Sequence, residues 1–307
     1  MIIIYVVWGS TYLSIRFAVE TIPPFFMAAA RFLIAGGLLF GLRRLAGDPL
    51  PRRIEMRSAA IIGLFLLLGG NGSVTWAEQT VPSGMAALMV SSAPLWMLMM
   101  ETVLPGGRRP PLRALLGIFV GFAGVLLLLW PGESGGLLRL NPAGAAALVF
   151  ATLAWSFGSI YSRNAELPSS PLMGTAVEML AGGLALALAG ILTGETTRLN
   201  LPGISLQSLL GLGYLIVFGS LVGFSAYTWL LRVAPTSLVS TYAYVNPLVA
   251  LLVGALLANE SFSARTLLAA GVILGAVALT TTAGRSQNAA NAESAFAADA
   301  PGAKEKQ

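Results

Sequence analysis

The chain is divided into about ten apolar runs of about 18 to 25 residues, each closed by Gly, Pro, Asn or Arg. A run of that length crosses about 30 Å of hydrocarbon at a rise of about 1.5 Å per residue. The runs are read as membrane spans at 1–19, 24–42, 58–77, 82–104, 112–130, 143–163, 171–192, 206–231, 235–258 and 264–282. With 10% charged and 56% hydrophobic residues, the chain has too few charges to cover a water-facing surface of its size. Strands of a membrane barrel would alternate apolar and polar residues, whereas "LLGIFVGFAGVLLLLW" has no polar face. The fold class that follows is an all-α membrane protein.

Cys and His are both absent, which removes disulfides, thiolate nucleophiles, Cys/His metal sites and Ser-His dyads. No Walker sequence is present, and no Asp or Lys lies in any span, so an intramembrane enzyme is a weak reading. No cofactor or metal is expected. The net charge of +5 does not point to nucleic acid, because the basic residues occupy short loops between spans. Thirteen of the 18 Lys and Arg fall on the side that is cytoplasmic if the amino terminus is cytoplasmic. That asymmetry places both termini in the cytoplasm. The first span has no basic residue before it, so the natural start is expected to lie upstream, and the polar tail 283–307 reads as disordered.

Sliding the chain against itself uncovers a repeat. An offset of 147 places Trp8 on Trp155, Arg16 on Arg163, Leu33 on Leu180 and Gly36 on Gly183. An offset of 153 places Trp76 on Trp229, Pro82 on Pro235 and Pro94 on Pro247. Five spans per half is an odd number, so the halves, 1–131 and 143–282, enter the membrane from opposite sides. Inverted repeats around a midplane site are the architecture of alternating-access carriers. A duplication kept for packing alone is the bland alternative.

The motifs "VVWGSTYLSIRFAVETIPPFFMAAARFLIAGG", "GNGSVTWAEQTVPSGMAAL", "SFGSIYSR" and "TYAYVNPLVALLVGALLANESF" resemble the EamA domains of the drug/metabolite transporter superfamily. The likeness is greatest to its YedA-like and YddG-like inner-membrane exporters, and it covers about residues 5 to 282. The resemblance implies ten helices in two inverted five-helix repeats around a central cavity, and export of amino acids or related small metabolites across the inner membrane. Carriage of drugs, purines or sugars is the alternative, and a channel a lesser one. One departure is visible: family members commonly place a "GE" pair between the last two helices of each repeat. Asn259 and Glu260 fit in the second half, but the first half has "LPGGRRPP". The lipid bilayer and a small-molecule substrate are the expected partners, with a monomer or a homodimer as the assembly.

Polar and aromatic side chains inside the spans are the candidate cavity lining. Asn71, Thr75 and Glu78 share one helical face beside Trp76, and such a stripe either faces a wet cavity or bonds to a neighbouring helix. Tyr242, Tyr244 and Asn246 offer hydroxyls and a carboxamide beside an apolar wall, as a small amphiphilic ligand requires. Tyr12, Ser91 and Trp155 join this group, with Trp8 on the face of Tyr12. Pro94 and Pro247 free a carbonyl near mid-span and are hinge candidates, or merely shape the bundle. Gly117, Gly121, Gly271 and Gly275 form two GxxxG pairs at equivalent positions and are expected to serve helix packing. Arg31 lies in the otherwise apolar "MAAARFLIAGG", and the 147 offset places it on Glu178. The two are expected to face the central cavity at depths differing by about 10 Å, meeting there directly, through water or through a bound amino acid.

Overall fold

The computed structural model describes residues 1–103, 112–129, 141–234, 239, 242–260 and 262–279. The turn "LPGGRRPP" and the tail 283–307 lie outside the described residues, as does the side chain of Tyr244. Among the described residues every regular element is a helix: α1 (Ile2–Ala18), α2 (Pro24–Leu45), α3 (Arg53–Ala77), α4 (Ser83–Val90), α5 (Ala93–Val103), α6 (Leu112–Leu129), α7 (Pro142–Ser162), α8 (Pro171–Leu192), the short α9 (Glu195–Arg198), α10 (Leu206–Val233), α11 (Tyr242–Ala258) and α12 (Ala264–Leu279). Six helical segments, namely α2, α3, α4 with α5, α7, α8 and α10, are long and apolar enough to cross a membrane. The apolar helices α1, α6, α11 and α12 are shorter. Leu38, Leu42, Leu188, Leu192, Leu252 and Leu256 are all exposed, an apolar exterior suited to lipid rather than to water.

Local chemistry sets the helix ends. Proline occupies the first turn of α2, α7 and α8, where its missing N–H costs nothing. Asn141 caps α7 by accepting from the Ala143 amide at 2.9 Å. Helices α2 and α8 both run out into a left-handed glycine, Gly47 at φ 90° and Gly194 at φ 74°. Both helices are 22 residues long.

Helices α2 and α8 pack against each other closely because glycines remove side chains at the crossing. A Cβ at Gly36 would stand 2.8 Å from the Met179 Cβ and 3.1 Å from the Leu180 amide, and one at Gly183 would stand 3.1 Å from the Leu33 amide. Helix α3 joins them, with Gly63 against the Glu178 carbonyl and Gly182 against the Gly63 carbonyl. Elsewhere the packing differs from the GxxxG expectation. Gly121 meets Leu95 and Ala276, and Gly124 meets Ile273 and Val272, so α6 does approach α12. Gly271 and Gly275, however, have no neighbour within 4 Å among the described residues. Branched residues of α12, not its glycines, meet α6.

Two helices change pitch in mid-course. Residues Leu64–Gly72 of α3 and Leu215–Phe224 of α10 are π-helical, a wide turn that leaves backbone carbonyls available to side chains. Between α4 and α5 the chain breaks at Ser91 and Ser92, whose hydroxyls donate to the carbonyls of Leu88 and Met89. Pro94 therefore sits in the first turn of α5, not inside a continuous kinked helix, whereas Pro247 lies within α11.

Acidic side chains staple the ends of the bundle. Glu195, buried just after α8, accepts from the amides of Phe25 (3.1 Å) and Phe26 (3.0 Å) at the start of α2. Asp48, just after α2, accepts from Arg43 at 2.9 and 2.7 Å and from Ser170, the cap of α8. Those bonds hold the Asp48 carboxyl below the usual carboxylate range, the Arg43 hydrogen bond being the largest cause. Glu195 thus caps α2 directly, whereas Asp48 holds Ser170, the residue that caps α8 by accepting from the Met173 amide. Glu195→Ala strands two half-buried amides and is expected to cost about 1 kcal/mol. Faster hydrogen exchange at Phe25 and Phe26 is the readout, and unchanged exchange would refute the cap.

Candidate functional site

Helices α1, α2, α3, α4, α7, α10 and α11 enclose a cavity in the middle of the bundle. Among its walls are Tyr12, Arg31, Asn71, Trp155, Tyr242 and Asn246, six of the residues singled out from the sequence, together with Trp8. About 70 Å³ of it is open to the centre of a water-sized sphere. A roomier hollow of about 520 Å³ lies between Ile54, Met100, Phe157 and Tyr161, but it opens beside exposed apolar residues at the rim of the bundle. The central cavity is the candidate site because a buried cation, Arg31, and a buried carboxamide, Asn246, border it, whereas the charged group of the other hollow, Glu166, is exposed.

Arg31 dominates its electrostatics. The side chain is 4% exposed, and its Nε donates to Ser220 Oγ at 2.8 Å. Its guanidinium carbon stands 4.6 Å from the ring centre of Phe32. The π-helical stretch of α10 makes room for it, since a Cβ at Gly219 would lie 2.9 Å from the Arg31 Nη2. Among the described residues no carboxylate lies within 4 Å, so this cation is solvated by a hydroxyl and the cavity and not by an ion pair.

Three aromatic rings from α1, α7 and α11, namely Trp8, Trp155 and Tyr242, line the cavity, and Tyr227 of α10 packs against all three. Trp8 packs edge-on against Trp155 (5.7 Å between ring centres) and Tyr242 (5.5 Å), and Tyr227 lies 4.9 Å from Trp8. Trp8 Nε1 donates to the Gly219 carbonyl at 3.2 Å, and Gly223 must be glycine because a Cβ there would stand 2.6 Å from that nitrogen. Asn246, beside Pro247, turns its amide nitrogen to the carbonyls of Tyr5 (3.1 Å) and Tyr242 (3.3 Å). Asn71 donates to the Leu66 carbonyl at 3.4 Å, within the π-helical stretch of α3.

Three expected lining residues are elsewhere. Ser91 spends its hydroxyl on the break after α4, and the Trp76 carbonyl accepts from Gln79. Glu178 is buried but does not line the cavity; its charged neighbour is Arg232, which itself donates to the Pro168 carbonyl at 2.9 Å. The meeting of Arg31 and Glu178 is therefore not made. The α2/α8 contacts of Leu33 with Gly183 and Gly36 with Leu180 put the two side chains about 10 Å apart along the helices. From there Arg31 turns to α10, while the Glu178 backbone lies against Gly63 of α3. Gly219, Ser220 and Phe224 are among the site residues that sequence reading misses, because their role comes from the π-helical turn.

A helical bundle with an apolar exterior and a small cavity at its centre, lined by one cation and several aromatic rings, is the form of a membrane carrier. The chain belongs to the EamA-like transporter family, whose model matches residues 1–130 and 142–282. It is 43% identical over 279 residues to the uncharacterized inner membrane transporter YedA of Escherichia coli (strain K12), covering 91% of this chain and 88% of that one. It is 24% identical over 290 residues to a probable amino-acid metabolite efflux pump of the same organism, covering 89% and 90%. A solved crystal structure at 22% identity superposes with a TM-score of 0.65 over 93% of this chain and 96% of that one, a likeness of fold. The protein is a multi-pass membrane transporter and not an enzyme.

Proposed function

We propose that this transporter exports amino acids or related small metabolites across the inner membrane by alternating access, with both termini cytoplasmic. The observation that carries the reading is Arg31, a buried guanidinium that borders the cavity with no carboxylate within 4 Å among the described residues, Glu78 reaching it only through its field. A solute carboxylate supplies the missing partner, and the aromatic wall takes the rest of the solute. The likeness to a probable amino-acid metabolite efflux pump agrees with this class, and YedA is named as an inner membrane protein.

Two inverted five-helix halves, 1–131 and 143–282, provide the two access states in this reading. Support comes from pairs of features: α2 and α8 of equal length, π-helical stretches in α3 and α10, and acids after left-handed glycines, Glu195 bonded to the first amides of α2 and Asp48 to the cap residue of α8. Pro94 and Pro247, beside the break after α4 and within α11, act as the hinges.

Counterflow in proteoliposomes tests the proposal with a panel of radiolabelled amino acids, purines and sugars. Saturable uptake accelerated by unlabelled amino acid inside is expected. Flux that never saturates, or acceleration by a purine or sugar only, would overturn it. The chain has no cysteine, so single cysteines report orientation directly: one at Asp48 is expected to react only with cytoplasmic reagents.

A further inference from the structure

Glu78 follows directly on α3 and is 2% exposed, yet neither of its carboxyl oxygens has a hydrogen-bond partner among the described residues. Its neighbour Glu260 is the opposite case. Glu260 accepts from the Ser83 amide (2.9 Å), the Ser83 hydroxyl (2.9 Å) and the Gly84 amide (3.2 Å), with Arg16 Nη1 at 3.5 Å. Glu260 thus takes the donors at this end of the bundle and ties α1, α4 and the α11–α12 connection together. Glu78 takes none. The backbone of Arg16 approaches it without meeting hydrogen-bond geometry.

The charged and titratable groups that act on Glu78 come from three directions. They are Tyr12 and Arg16 of α1, Arg31 of α2, and Glu260 between α11 and α12. On the α7 side, Gly144 packs on Thr80 and Val81 just beyond Glu78. Tyr12 and Arg31 also line the cavity, so Glu78 stands behind the solute site and acts on it through its field.

An ionised carboxylate buried without donors costs several kcal/mol, while the neutral acid costs far less. Closing this end of the bundle over Glu78 therefore favours the acid, and opening it to water favours the carboxylate. We propose that Glu78 binds the proton that controls this end of the carrier: protonation closes it, and loss of the proton to water opens it. The step is a plain proton transfer in which the carboxylate takes a proton from hydronium and leaves water, reversed on opening. By linkage, whatever solute or gradient biases one state biases the proton in proportion. The inference rests on the alternating-access reading and adds to it the ion that sets the balance of states.

The test needs no solute. Ile15 lines the cavity and is 3% exposed, whereas Arg198 is exposed and donates to Gln79 Oε1 (3.3 Å) at the same end as Glu78. Single cysteines at the two positions are labelled in reconstituted full-length protein with a membrane-impermeant thiol reagent on that side. The Ile15-to-Arg198 labelling ratio cancels the reagent's own pH dependence. The ratio is expected to rise about fivefold or more with rising pH. With Glu78→Gln it should stay low and flat, with Glu78→Asp it should still rise, and with Glu260→Gln it should still respond to pH. A Glu78→Gln ratio that follows pH as the parent does would overturn the proposal. Infrared spectra give a second reading: a carboxylic-acid C=O band must be lost in Glu78→Gln, and its persistence at full height would also overturn the proposal. Failure of amino-acid counterflow would count against the export reading alone, since neither measurement depends on solute.

Discussion

Arg31→Met is expected to lower amino-acid exchange by roughly 10- to 100-fold while the protein still folds, the equivalent of about 1.5 to 3 kcal/mol for a hydrogen bond to a charged group. Methionine keeps most of the buried volume against Phe32 and leaves the bundle without a buried cation to solvate. Because Arg31 forms no ion pair among the described residues, its removal orphans no carboxylate next to it. It does strand Ser220, a fully buried hydroxyl, so a small loss of melting temperature is expected. Ser220→Ala in the same chain should recover that loss without recovering exchange. Arg31→Lys retains charge but not the planar fork, and should fall between parent and methionine variant. Exchange at the parent rate and half-saturation in Arg31→Met would show that solute does not use this side chain.

Gly63→Val is expected to be the most damaging single change to stability. The new Cβ would land on the Glu178 carbonyl, which is backbone and cannot swing aside as a side chain can. Helices α3 and α8 would have to separate, and Gly182, where a Cβ would stand 2.9 Å from the Gly63 carbonyl, would lose its seat as well. Overpacking of this kind costs about 1 to 3 kcal/mol when side chains can adjust, and more is expected where backbone is struck. Gly63→Ala should already lower the melting temperature in detergent, and Gly63→Val should deplete folded protein from the membrane. As a contrast, Gly37→Ala adds a methyl where nothing lies within 4 Å and should be neutral. Equal melting of Gly63→Ala and the parent would show that the α3/α8 approach is looser than described.

How far the site can be read in advance depends on the residue. Tyr12, Arg31, Asn71, Trp155, Tyr242 and Asn246 stand out in the chain because a polar or aromatic group inside an apolar run has to be paid for by some partner, and all six reach the same cavity. Ser91 has the same signature but uses its hydroxyl locally, on the carbonyl three residues back. Glu195 and Asp48 carry a signal that was available: an acid after glycine at the end of each of two equal helices. Their targets, the first amides of α2 for Glu195 and the cap residue Ser170 of α8 for Asp48, are visible only once the two helices are side by side.

The all-helical membrane class, the apolar exterior and the family itself follow from the linear chain, because bilayer thickness and helical rise convert directly into runs of apolar residues. Helix lengths do not: α1, α6, α11 and α12 are shorter than a full span among the described residues, and the run 82–104 breaks at Ser91 and Ser92. Which way a buried side chain turns does not follow from the chain either. Arg31 and Glu178 occupy equivalent places by sequence, yet a π-helical turn in α10 opens a seat for the arginine beside Ser220, while glycine-mediated contact with α3 holds the glutamate away from the cavity. Direction is decided by the close approach of backbones on neighbouring helices, a contact between residues more than a hundred positions apart, and only the tertiary structure brings those residues together.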